Sequence, residues 1–378
     1  MSMHRLCAAM IAFAFVLISP PRAVAATRGP LQAIAQQIRS DNHLPALILA
    51  LAHEDGRVEV TTDGSRRDGT NDPVHATDRF HIGSAIKPMT AVVIARLVDA
   101  GTLHWNMPLA KLLPGDVATM RPEYRGVTLR ELLSHSAGLP AYTDVSDADW
   151  ARWRKLPGTP TQQRGEFVRE VLTQAPIDKP GKAVHYSNAG YVLAGYIAEH
   201  ASGLQWKDLL QREVLNPLHM TGCRPGWPVQ NAKESGVLGH RATDHGFQQV
   251  SIDRQPAIGA FLAPAGDLSC RAVDLARFAV FALRARAGHS ELLSAANSKM
   301  LFAPALGGDT GMALGWGVAQ TGKGDRVYSI LGSLELYSVL MVLEPAHHRA
   351  MIAMTNVGES AQVKKALIEA VQDIRKLH

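Results

Sequence analysis

Phe80-His81-Ile82-Gly83-Ser84-Ala85-Ile86-Lys87-Pro88-Met89-Thr90 runs from a short apolar approach into a long apolar segment. From Ala91 to Ala100 only Arg96 and Asp99 interrupt Val, Ile, Ala and Leu, the pattern of a helix buried around most of its circumference. Pro88 suits the first helical turn, where a missing N–H costs least. Ser84 and Lys87 are three residues apart and share one helical face. A helix starting near Ser84 aims its free N–H groups and positive dipole end at the hydroxyl. That geometry suits a nucleophilic serine, because a desolvated lysine can take the hydroxyl proton or hold the proton acceptor in place. The spacing also occurs at ordinary helix starts with a solvated lysine. Two facts set this copy apart: it is the only Ser-x-x-Lys in the chain, and it opens the most apolar helix expected.

A second stretch carries chemistry. Pro180 to Gly190 (PGKAVHYSNAG) reads as a turn, a short extended piece and a helix start. Tyr186 and Asn188 point to one side of that piece and Ser187 to the other. A phenol whose pKa a nearby lysine lowers can act as a general base, and an amide can hold a substrate carbonyl and the lysine together. Of the seven tyrosines, Tyr186 alone stands in a Tyr-x-Asn.

Around these stretches lies a chain of 378 residues, 46% apolar and 19% charged, which is a globular composition. Residues 1–26 read differently. A basic start at Arg5, an apolar run over residues 6–18 and Ala23-Val24-Ala25 have the form of a cleaved secretory signal, leaving one domain over 27–378 with no stable membrane anchor. Export to the periplasm or beyond is therefore expected. Of the formal charge of +5, Arg5 and Arg22 belong to the leader, so the rest is near +3 and scattered. With 6% aromatics and no basic run, nothing supports nucleic-acid binding. Cys7 leaves with the leader, and Cys223 and Cys270 either pair or stay as two buried thiols.

In chain order, residues 31–40 read as an amphipathic helix, and 45–53 and 58–62 as two strands joined by a Glu54-Asp55-Gly56-Arg57 turn. Residues 127–133 form a short helix with a Thr128/Glu131 capping box. It runs into Ser134-His135-Ser136-Ala137-Gly138, where His135 reads as structural, its ring hydrogen-bonded to backbone. Helices are expected at 191–200, 206–215, 267–283 and 361–377, and strands at 313–319, 326–331, 337–343 and 349–355. Strands at both ends imply an α+β fold: one antiparallel sheet from about 27–80 and 305–378, flanked by helices, with a mostly helical insertion over about 90–300.

Ser84-x-x-Lys87 followed by Tyr186-x-Asn188 resembles the penicillin-binding protein and class C β-lactamase superfamily of serine hydrolases. Stretches 80–87, 97–113, 128–140, 180–195, 214–221 and 266–278 are similar in the same order. The resemblance implies the β-lactamase/transpeptidase-like fold and an acyl-enzyme on Ser84. It further implies Lys87 as the tuning amine, Tyr186 as general base and later proton donor, and Asn188 as the substrate-orienting amide. The oxyanion hole would combine the Ser84 N–H with one near Ser333.

The family's third motif, Lys-Thr-Gly or His-x-Gly, here reads Ile330-Leu331-Gly332-Ser333. Isoleucine offers no cation to a substrate carboxylate. Neutral esters or amides, small-molecule or peptide, are thus expected over penicillins and D-Ala peptides. The alternative is a weak or inactive homologue that binds peptidoglycan fragments or a protein partner. No Gly-x-Ser-x-Gly and no His-Glu-x-x-His occurs, so neither an α/β-hydrolase nor a zinc hydrolase is expected, and no cofactor or metal site.

Overall fold

The computed structural model describes residues 29–143 and 148–377, so the expected leader falls outside it. Eleven strands are present among the described residues: β1 (Ala46–His53), β2 (Val58–Gly64), β3 (Arg79–His81), β4 (His240–Thr243), β5 (Gly246–Gln249), β6 (Ser269–Arg271), β7 (Gly311–Met312), β8 (Gly317–Gln320), β9 (Arg326–Leu334), β10 (Tyr337–Glu344) and β11 (Arg349–Thr355). Seven form one sheet in the order β2-β1-β11-β10-β9-β8-β7. Its neighbours pair antiparallel, and the chain ends meet where β1 lies on β11, Leu47 opposite Thr355 and Leu51 opposite Met351.

The unbroken apolar run of β1 has a direct cause: both faces of the strand are covered. Leu47, Leu49 and Leu51 pack beneath the helices Pro30–Asp41 and Ala361–Arg375. Ala46, Ile48, Ala50 and Ala52 face the opposite layer, where the helix Ala272–Arg286 lies on β1, β10 and β11. Farther out on that side sit the helices Lys87–Asp99 and Asn188–Ser202, packed on each other.

Three expected elements are corrected. Residues 267–283 do not form one helix. Ser269–Arg271 is a strand, because Phe80 pairs with Cys270, and the helix begins at Ala272. The strand expected at 313–319 keeps only Gly317–Gln320. Before it, Gly315 (φ +85) passes so close to Pro88 that a Cβ would lie 2.7 Å from the proline nitrogen. Residues 206–215 change from α-helix at Trp206–Leu210 to a π turn at Gln211–Leu215. The 127–133 helix forms at Leu129–Leu133 with its capping box in place.

Cys223 and Cys270 are disulfide-bonded, tying β6 to the segment that follows the π turn. The bond closes a loop with a sequence separation of 47 residues. On the chain-entropy argument, the double variant Cys223→Ser/Cys270→Ser loses about 2–4 kcal/mol in urea unfolding. An unchanged midpoint would contradict this.

Candidate active site

The turn that carries Ser84 is built by close approach to β9. Gly83–Ile86 is a 3-10 turn, and the α-helix proper starts at Lys87 with Pro88 in its first turn. Gly83 has φ +47, and a Cβ on it would lie 2.5 Å from the Ser333 carbonyl oxygen. A Cβ on Gly332 would lie 2.1 Å from the Ile82 oxygen and 2.7 Å from the Ala85 nitrogen. Only glycine lets these two backbones meet. The turn can dock there because β8 pairs with only residues 326–329 of β9. Beneath it, the Gly83 N–H donates to His81 Nδ1 (3.2 Å), so the ring proton sits on Nε2, 3.4 Å from Asp267 Oδ1.

The expected residues converge. Lys87 Nζ lies 2.9 Å from Ser84 Oγ, and the Tyr186 hydroxyl donates to the same Oγ at 2.7 Å. Nζ also donates to Asn188 Oδ1 and to the Ala265 carbonyl, each at 2.7 Å. Asn188 Nδ2 donates to the Tyr142 carbonyl (2.7 Å), which fixes the amide's orientation. Ser187 turns away, as the alternation requires, and its hydroxyl donates to the Pro140 carbonyl. Ser333 turns its Oγ to the Tyr337 carbonyl (3.0 Å) and to the Glu359 N–H (3.1 Å), leaving its backbone beside the turn that carries Ser84.

Lys87 is fully buried, and burial drives its amine well below the ordinary value of 10.5. A neutral amine has two protons and one lone pair. The two carbonyl oxygens take the protons, so the lone pair faces Ser84 Oγ. Tyr186 behaves opposite to the sequence expectation. Desolvation pushes its phenol up to about 12, and the Glu359 carboxylate adds to the rise. With the lysine uncharged, no cation lowers it. The arrangement leaves Lys87 able to accept a proton from Ser84 Oγ and Tyr186 able to donate one.

His135 is structural, as read. Its Nδ1 accepts the Ser187 N–H at 3.1 Å, and its ring stacks on Tyr186 at 4.4 Å. Burial pulls it down to about 3, so it stays neutral. Ile330 lies on the same strand face as Gly332, buried in the core, and brings no charge to the site. The sequence reading missed three contributors: the His81–Asp267 pair, the Ala265 carbonyl and Glu359. The lettering His81-x-Gly83 was visible, but nothing local ties it to Asp267.

These shifts fix the pH dependence. Lys87 must be neutral to accept a proton, so Ser84-dependent turnover is lost as pH falls through its lowered pKa. It stays level above that value until the phenol ionises near 12. A kcat/KM profile with one acid limb and a plateau through pH 9 is expected. A rate that climbs only above pH 9 would mean that Lys87 titrates normally.

Comparison with known proteins bears on the family and the fold. A family model described as Beta-lactamase matches residues 31–376. Penicillin-binding protein 4* of Bacillus subtilis is 24% identical over 314 residues, covering 80% of this chain and 66% of that one, so the match stops just short of two thirds of its length. Penicillin-binding protein 4 of Amycolatopsis lactamdurans is 28% identical over 74% of this chain and 71% of its own. The D-amino acid amidase of Ochrobactrum anthropi, solved with L-phenylalanine amide, superposes with TM-score 0.71 at 21% identity, covering 92% of this chain and 98% of that one. A class C β-lactamase superposes with TM-score 0.69 at 16% identity, over 91% and 95%. The chain belongs to the Beta-lactamase family, whose β-lactamase fold serves penicillin-binding proteins, amidases and β-lactamases alike.

Proposed function

We propose that the protein is a serine acyl hydrolase that forms an acyl-enzyme on Ser84 and acts on small esters or amides lacking a carboxylate. The observation that carries this reading is the meeting of Lys87 Nζ and the Tyr186 hydroxyl on one oxygen, Ser84 Oγ. Ser84 Oγ attacks the substrate carbonyl carbon as its proton passes to Lys87 Nζ. The resulting oxyanion lies between the backbone N–H groups of Ser84 and Ser333. As the intermediate collapses, the bond to the leaving group breaks and Tyr186 gives that group its proton. The phenolate is neutralised by the proton now on Lys87. Water then attacks the acyl carbonyl in the reverse sense, regenerating the Ser84 hydroxyl and releasing the acid.

The substrate preference follows from Ile330. With no cation at this position, carboxylate-bearing penicillins lose their anchor, whereas a carbonyl needs only the backbone donors. The same residue motivates the second reading, a binding homologue with little turnover. A fluorophosphonate probe should label the wild type and not Ser84→Ala. p-Nitrophenyl esters should be cleaved about 100-fold more slowly by Tyr186→Phe, the usual scale for a lost proton donor, with little cephalosporin turnover. Equal labelling of wild type and Ser84→Ala ends the catalytic reading, and brisk cephalosporin hydrolysis ends the substrate preference.

The leader-like residues 1–26 and the Cys223–Cys270 disulfide support export to an oxidising compartment. N-terminal sequencing of the protein secreted by a bacterial host should start after residue 25 or 26. A chain beginning at Met1 in the cytoplasmic fraction would contradict it.

A further inference from the structure

The loop after β11 carries a carboxylate to the mouth of this site. Three hydrogen bonds made by its main chain hold that loop. The Asn356 carbonyl accepts from the His240 N–H (2.8 Å), the Gly358 N–H donates to the His240 carbonyl (2.9 Å), and the Glu359 N–H donates to Ser333 Oγ (3.1 Å). Gly358 lies flat on the β9–β10 hairpin, where a Cβ would sit 1.8 Å from the Glu335 oxygen. Ser360 then caps the final helix. Glu359 is thus fixed one hydrogen bond from the strand residue whose backbone borders the nucleophile turn. Its side chain is exposed and has no ion-pair partner among the described residues. The final helix begins two residues further on, at Ala361.

We infer that Glu359 is a specificity residue that favours ester and amide substrates bearing a positively charged nitrogen over neutral or carboxylate-bearing ones. The inference rests on the acyl-enzyme reading of Ser84 and goes beyond it by naming the charge of the substrate. Three observations combine. Ile330 removes the cation expected on β9, Lys87 is held uncharged behind Ser84, and Glu359, tied to Ser333 by its main chain, supplies one exposed unpaired anion at the front. The field of that anion already reaches the reacting groups, since it acts on the Tyr186 phenol. One group opposes it. Arg154 and Arg241 both pair with Glu335 at the neighbouring hairpin, two cations on one carboxylate, so a local positive surplus competes for acidic substrates.

Three p-nitrophenyl esters separate these forces: 4-(trimethylammonio)butanoate, its uncharged isostere 5,5-dimethylhexanoate, and the adipate half-ester. In wild type, kcat/KM for the cationic ester should exceed that of the isostere by about 3- to 10-fold, the scale of one partly solvated charge pair. The ratio should shrink with added salt. It should fall to near parity in Glu359→Gln and invert in Glu359→Lys. Because the readout is a ratio within each variant, any general effect on Tyr186 cancels. An unchanged ratio in both variants, or a wild-type preference for the adipate ester, overturns the inference while leaving the acyl-enzyme reading intact. If none of the three esters shows Ser84-dependent hydrolysis, the acyl-enzyme reading fails and the inference fails with it.

Discussion

Lys87 keeps its amine where no water reaches, among three neutral oxygens: a hydroxyl, a side-chain amide and a main-chain carbonyl. Desolvating an ammonium costs several kcal/mol, and among the described residues no carboxylate is hydrogen-bonded to this one to offset that cost. The charged form is therefore disfavoured, and a neutral amine is left with its lone pair toward Ser84. Much of the surrounding architecture serves this one placement. The helix Asn188–Ser202 delivers its first residue as a hydrogen-bond partner, and the short helix Ala263–Gly266 delivers the Ala265 carbonyl. The adjoining Pro264 carbonyl accepts from the Thr90 hydroxyl, which locks that short helix onto the helix Lys87–Asp99.

The same demand for closeness shapes the junction between turn and sheet. A nucleophile and its backbone donors can share one substrate oxygen only if two chain segments nearly touch. Gly83 and Gly332 make that contact from opposite sides. The disulfide and the β3–β6 pairing hold the approach to the turn, and His81 on Asp267 braces it from below. On the far side, His135 stacks on Tyr186 and stays uncharged, so it orients the phenol without lowering its pKa.

Much of this was legible in the sequence. β1 and β11 announced themselves because a strand covered on both faces is apolar throughout its interior, and the terminal helices because each has one wet face. The residues that meet at Ser84 Oγ were legible because each motif occurs once. What stayed hidden depends on long-range partners. The helix Pro160–Thr173 has no readable apolar stripe, since its buried face includes Arg164, paired with Glu199, and Gly165, pressed against Tyr196. The helix expected from residue 267 yields its start to a strand through a pairing that only the tertiary fold creates. The direction of the Tyr186 shift was misread for a similar reason. Proximity to a lysine lowers a phenol's pKa only if that lysine is charged, and burial decides its charge.

Direct titration of Lys87 tests the account most closely. In protein labelled with 13C and 15N at lysine, the resonance lost in Lys87→Arg identifies this side chain, and its shift reports protonation across pH. The account predicts a neutral amine at pH 8, with protonation only on acidification. An ammonium that persists to pH 10 would contradict it and return the base to another group.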